Sequence, residues 1–310
     1  MVRRKGEKYK KRRMGERIGD GMLWAFMLGV CVLCLFPFWY FLVLSFNDGY
    51  DTLYGGVYLW PRVFTLDNYR QAFAYPTILN SFAVSIARVL IQTLVSLIFT
   101  ALMAYAMTEK ELPGRKGINF FFFFTTIFSG GLIPSYILYR QIHILNTFWV
   151  LVLPGIFSFY NTIVMRTFFE EIPESLKESA KLDGAGEFTI FCRIILPLSK
   201  AVMATVALFV GVGAWNDWFS GAYYIQFNQK LVPAATLLYQ IIAEASFKVN
   251  NIKTGSNIMA AGQDSLATAA TTPESLRMAF VIIIVTPVIC IYPFLQKYFV
   301  KGVMVGSVKG

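Results

Sequence analysis

The chain has 310 residues, 56% of them hydrophobic and 15% charged, with a mean hydropathy of +0.55, which does not describe a soluble domain; soluble chains carry roughly 25% charged residues. A net charge of +10 would point to nucleic acid in a soluble protein, but nine of the 28 basic residues lie in the first 17 positions, directly before a long uncharged run. That placement orients a membrane protein, with lipid rather than nucleic acid as the surrounding partner.

A bilayer core needs about 20 apolar helical residues at about 1.5 Å each. The sequence therefore predicts an all-α, polytopic membrane protein. A basic arm over 1–20 precedes a single transmembrane domain over 21–310, with six spans near 22–44, 80–108, 118–139, 144–166, 201–225 and 278–296. The first run is 23 uncharged residues with no small-x-small cleavage site after it, so it reads as an uncleaved span and not as a secretory signal. If the N-terminus is cytoplasmic, the inner segments hold 20 basic residues and the outer ones six, which predicts both termini inside. The outer loops are then 45–79 and 226–275. In the second of these, Thr271-Thr272-Pro273-Glu274 is a helix-start pattern that predicts a short helix leading into the last span.

Charges within spans are few. Arg88 is intramembrane if the second helix begins at Asn80, but 89–108 alone crosses about 30 Å, and the reading preferred from sequence leaves Arg88 snorkelling at the outer interface. Asp217, in Trp215-Asn216-Asp217-Trp218, either lines a wet path or marks an early outer end of the fifth helix. Chemistry of other kinds is missing. There is no GxxxxGK[ST] phosphate loop, so the chain is not expected to hydrolyse ATP itself. The single histidine, His143, has no carboxylate cluster around it, and Cys31, Cys34, Cys192 and Cys290 offer neither a metal site nor a disulfide framework. No catalytic residue, metal or bound cofactor is predicted.

The loop over 169–198 is the most informative stretch. Pro173 can open a helix, and Asp183-Gly184 can stop it because glycine enters the left-handed region without steric penalty. A second short helix from Ala185 would end by Pro197. Two short helices joined at a glycine suit a knob that fits another protein's groove; a solvated connector on the membrane surface is the competing reading.

The same residues carry a family resemblance. Glu178-Ser179-Ala180, Asp183-Gly184-Ala185, Ile194, Leu196 and Pro197 match the E-A-A, three residues, G, nine residues, I-x-L-P pattern of permease subunits of bacterial ABC importers, with Ser179 in place of an alanine. Thr65-Leu66-Asp67-Asn68-Tyr69, Asn80-Ser81, Trp215-Asn216-Asp217 and the tail YFVKGVMVGSVKG resemble the carbohydrate branch, similar to the second maltose-type permease subunit and to oligosaccharide and aldouronate-type permeases. The resemblance implies a type I importer permease fold in a bacterial plasma membrane. It also implies a heterodimer with a homologous permease, two ATPase subunits that bind ATP and Mg, an extracellular sugar-binding protein, and an oligosaccharide substrate. Residues Glu178 to Gly184 would dock on an ATPase. Trp215, Asn216 and Asp217 would line the pathway, the amide and carboxylate bonding hydroxyls and Trp215 or Trp218 stacking on a ring; helix packing is the alternative for the indoles. A six-span secondary carrier or membrane scaffold is the other class, for which Asp217 is the only coupling candidate.

Overall fold

The computed structural model describes residues 14–253 and 272–306. Apart from one isolated bridge between Asn47 and Phe64, the regular structure of the described residues is helical.

In chain order, α1 (Met14–Ser45) carries the first predicted span, and two short helices follow, α2 (Gly49–Leu53) and α3 (Asp67–Ala74). α4 (Ile78–Thr108) is the second span and starts ten residues before Arg88. The third predicted span is broken: α5 (Arg115–Ile127) and α6 (Leu132–Gln141) meet at 113° across a break where Gly131 adopts a φ of 87°. The fourth is bent by 49° between α7 (Trp149–Val152), prolonged by a 3-10 turn to Gly155, and α8 (Phe159–Glu170). Ser158 caps α8 by accepting from the Asn161 N–H. The connecting loop folds as α9 (Glu174–Leu182), α10 (Glu187–Ile190), a π turn over Phe191–Ile195 and α11 (Leu196–Leu198). An 81° bend then leads into α12 (Lys200–Asn216).

The fifth predicted span thus stops at Asn216, and its remainder is a separate helix, α13 (Phe219–Tyr224). The segment after α13 contains α14 (Ala234–Lys253), and α15 (Pro273–Gly306) runs from the predicted helix start at Pro273 through the last span as one helix. The start of α15 is capped by Thr272, whose hydroxyl accepts from the Ser275 N–H; Thr271 lies outside the described residues. Among the described residues, three helices are long and apolar enough to cross a bilayer singly, and counting each bent pair as one span gives up to six.

The chain divides into two compact units, 1–69 with 268–282 and 70–267 with 283–310. In the first, Val43, Leu44, Val57 and Met278 pack together beside Tyr40 and Phe41. Buried Asn68 ties three segments, donating to the Ser45 and Asn47 carbonyls and accepting from Ser275 Oγ at 2.8 Å. In the second unit, α4, α8 and α12 form the core. Within a bilayer, helix association rests on close packing, since lipid tails are as apolar as leucine. Accordingly, α4 brings the small Ala101 and Ala104 against a stripe of Val202, Val206 and Val210 on α12 and against Met165 and Phe169 on α8.

Candidate functional site

Two polar arrangements in the second unit stand out as candidate sites, one exposed and one buried. The exposed one is the loop between the fourth and fifth spans. α9 ends at Leu182, and Gly184 follows with a φ of 82°. The Gly184 N–H donates to the Lys181 carbonyl at 3.0 Å and the Ala185 N–H to the Ala180 carbonyl at 2.9 Å, the pair of bonds that closes a glycine-terminated helix. Ala180 and Ala185 thus face one another through the backbone, and both pack against the hydrophobic core together with Ile194 and Leu196. Glu178, Ser179, Asp183 and Pro197 stay exposed. So do two large apolar side chains, Leu182 at 90% and Phe188 at 72%.

This turn is braced by Glu187, which the sequence reading did not single out. One carboxylate oxygen takes Lys181 Nζ of α9 at 2.6 Å, and the other accepts from the Tyr105 hydroxyl of α4 at 2.7 Å. Lys177 of α9 sits 5.5 Å from the centre of the Tyr105 ring. Through its hydrogen bond and charge, the Glu187 carboxylate holds Lys181 above its ordinary value. Glu187 lies six residues past Lys181, beyond the Gly184 turn, at a spacing that marks no pair in sequence; only the fold brings Lys181 and Tyr105 to it.

The buried arrangement corrects the reading of Arg88. Its side chain does not snorkel: the residue is 3% exposed, and Nη2 pairs with Asp217 Oδ2 at 2.5 Å. Arg88 Nη1 also donates to the Asp217 carbonyl at 3.3 Å, while Asp217 accepts from the Ser220 N–H and hydroxyl at 3.1 and 2.5 Å. Gln92, one turn along α4, accepts from Arg88 Nε and donates to the Gly155 carbonyl at 3.2 Å. Asp217 therefore does mark the end of α12, where it begins α13 through Ser220, and it also lines a polar cavity of about 240 Å³ with Arg88, Gln92, Gly155 and Ser220.

The signal for this cluster was present in the sequence. Ser81, Ser85, Arg88, Gln92, Ser96 and Thr100 recur every three or four residues, which puts them on one helix face, and all six are buried. Counting 89–108 alone as the stretch that crosses the bilayer left Arg88 at the interface and hid that face. The remaining pathway candidates separate. Trp215 is buried, with Nε1 donating to the Ile284 carbonyl at 3.1 Å and its ring edge-on to Phe82, which is the packing alternative. Trp218 stacks on Tyr239 with centroids 4.2 Å apart. Asn216 is exposed. Among the described residues no group of three or more His, Cys, Asp or Glu could hold a metal ion.

Residues 112–305, which include the braced loop and all of α12, match the model of the binding-protein-dependent transport system inner membrane component family. The chain belongs to that family. This permease is 37% identical over 285 residues to protein LplC of Bacillus subtilis (strain 168), covering 92% of each chain. It is 35% identical over 298 residues to the polygalacturonan/rhamnogalacturonan transport system permease protein YtcP of the same organism, covering 96% of this chain and 100% of that one. Its fold matches a chain in the crystal structure of a bacterial ABC transporter involved in the import of the acidic polysaccharide alginate. The TM-score is 0.82 at 26% identity, over 94% of this permease and 99% of that chain. The permease is accordingly a multi-pass membrane protein with the fold of ABC importer permeases.

Proposed function

We propose that this permease is one of two membrane subunits of an ATP-driven oligosaccharide importer and that its α9–α10 loop couples it to an ATPase on the cytoplasmic side. The observation that carries the reading is the loop itself. A glycine-closed helix is locked to the core by Ala180 and Ala185, while Glu178, Ser179, Asp183, Leu182 and Phe188 are left outward for a partner. Exposed leucine and phenylalanine beside carboxylates fit a docking surface with an apolar centre and a polar rim. Ile194, Leu196 and Pro197 carry the strain of that dock into the bend that begins α12. ATP and Mg belong to the partner ATPases, a homologous permease supplies the other half of the pathway, and an extracellular sugar-binding protein delivers substrate. One permease similar to this chain is named for polygalacturonan and rhamnogalacturonan, and the similar transporter is described as importing alginate, which supports an oligosaccharide as cargo. In this reading Asn216 and Asp217 face the pathway, and Trp215 supports it by packing.

The test is at Gly184. No atom lies within 4 Å of a Cβ placed there, so substitution acts through the backbone alone. A side chain held in the left-handed region costs about 1–2 kcal/mol, and a β-branched one more. Gly184→Val should leave the chain inserted and assembled but abolish ATP-driven uptake, while Gly184→Asn, which tolerates this φ, should keep most of it. Uptake coupled to hydrolysis at the wild-type rate in Gly184→Val would refute the coupling role.

A further inference from the structure

We propose that the loop from Thr52 to Pro61 is a lipid anchor, folded back along α1 so that its aromatic tip sits at the headgroup–acyl boundary of the bilayer and not in water. The loop has a polar base and an uncharged tip. Arg62 closes the base, donating from Nε to Asp51 Oδ2 at 3.0 Å and from Nη2 to the Asp51 and Gly55 carbonyls. Buried Asn47 reinforces it, donating to Asp51 Oδ2 at 2.9 Å and accepting from the Arg62 and Val63 N–H groups. Between Asp51 and Arg62 the sequence TLYGGVYLWP carries no charge.

The tip is fixed against the flank of the span. Trp39 Nε1 donates to the Leu59 carbonyl at 3.0 Å, Tyr58 stacks on Tyr40 with centroids 6.3 Å apart, and Val57 is buried among Val43, Leu44 and Met278. Trp39 lies six residues before the end of α1 at Ser45. At about 1.5 Å per residue, that brings Leu59 about 9 Å back from the helix end, to a depth where the span is still uninterrupted apolar helix. Along this loop Tyr54 is 88% and Trp60 73% exposed, with Leu53, Tyr58 and Leu59 also exposed. The surface continues onto the exposed Leu35 and Phe38 of α1.

In water this would be a contiguous apolar patch held rigidly open, which soluble surfaces rarely show. At a bilayer interface it is the preferred setting for Trp and Tyr, whose rings stay apolar while the indole N–H or phenol reaches water and headgroups. Absence of charge through the whole tip and continuity with the outward face of a membrane span favour lipid over a protein partner, whose contact would be expected to carry polar anchors.

The test is fluorescence quenching of the assembled transporter in nanodiscs, comparing the wild type with Trp60→Phe, so that the difference spectrum isolates Trp60. Lipids brominated near the carbonyl end of the acyl chain should quench this component strongly, lipids brominated near the methyl end weakly, and aqueous iodide hardly at all. Quenching by iodide and not by brominated lipid would overturn the proposal by leaving the tip in water. Quenching by none of the three would overturn it in favour of a protein partner covering the tip. The readout does not depend on coupling to an ATPase, so it stands or falls separately from the transport reading.

Discussion

The α9–α10 loop and the Arg88–Asp217 cluster are both polar networks that tie α4 to another element, yet they solve opposite problems. In the loop, Lys181 and Glu187 are each about half exposed, at 51% and 55%, and the bond that matters most is a backbone one requiring glycine. In the cluster, the Arg88 side chain is 4% and the Asp217 side chain 27% exposed, and the bond that matters is between two charges. Exposed ion pairs contribute about 0–1 kcal/mol, because water screens them and side-chain entropy opposes them. Buried ones return little net stability but cost about 3–5 kcal/mol when a single partner is lost. The comparison teaches that the loop can be rearranged cheaply while the cluster resists being opened, as expected if one is a docking element and the other a fixed post beside the cavity.

The largest effect should come from breaking the cluster, and the order of effects sharpens the contrast. Asp217→Ala leaves Arg88 almost wholly buried with only the distant Gln92 and Asp217 carbonyl acceptors, at 3.4 and 3.3 Å. A loss of about 3–5 kcal/mol is expected. Arg88→Ala should cost less, because Asp217 keeps both Ser220 hydrogen bonds and part of its access to solvent. Replacing both, with Arg88→Met and Asp217→Leu, removes the charges together and should recover much of the loss. Thermal unfolding of the purified complex checks the order: Asp217→Ala lowest, Arg88→Ala above it, the double variant above both. Equal melting for the three would mean that the pair is not energetically coupled.

A smaller effect is expected from the loop. Glu187→Gln should lower the melting temperature little, since Lys181 is exposed and returns to water. Its uptake per ATP hydrolysed should nevertheless fall, because an amide offers one uncharged acceptor oxygen where the carboxylate gives two charged ones, which weakens the link from Lys181 of α9 through residue 187 to Tyr105 of α4. Tyr105→Phe, which removes only the hydroxyl, should reproduce the coupling defect. Unchanged uptake per ATP in both variants would show that the Glu187 bridge is decorative and that Ala180 and Ala185 alone hold the loop.

What the sequence revealed follows the same division. The loop was legible because backbone geometry restricts residue type: Pro173, Gly184 and the paired alanines each have a local reason to be where they are. The number of apolar runs was legible as well, since bilayer thickness fixes their length. Their straightness was not. The bends at Gly131 and beyond Gly155 fall inside or beside uncharged runs, and a run of apolar residues says nothing about a kink that neighbouring helices stabilise. Arg88 was misread because its partner lies 129 residues away, and a charge without a visible partner reads as interfacial. The α4 face of Ser81, Ser85, Arg88, Gln92, Ser96 and Thr100 was the clue, since all six lie within the predicted 80–108 span at helical spacing.

The smallest expected effect lies at the base of the Thr52–Pro61 loop and extends the contrast to an exposed pair whose charge state can be titrated. The Asp51 carboxyl is held below its ordinary value of 3.8, first by the hydrogen bond from Asn47, which works against an opposing push from burial, and further by the hydrogen bond and charge of Arg62. A depressed folded-state value means that ionised Asp51 contributes stability above the unfolded-state value. That contribution is lost as the pH falls through the folded-state value, which lies below 3.8. Asp51→Asn removes the titration, so the wild-type melting temperature should exceed that of the variant at neutral pH, and the gap should close only as the pH drops below about 4. A gap that stays constant through that range would show that Asn47 and Arg62 hold Asp51 by shape and not by charge. The loop base would then resemble the neutral side of the comparison, with its geometry set by the Asn47 hydrogen bonds to the Arg62 and Val63 backbone.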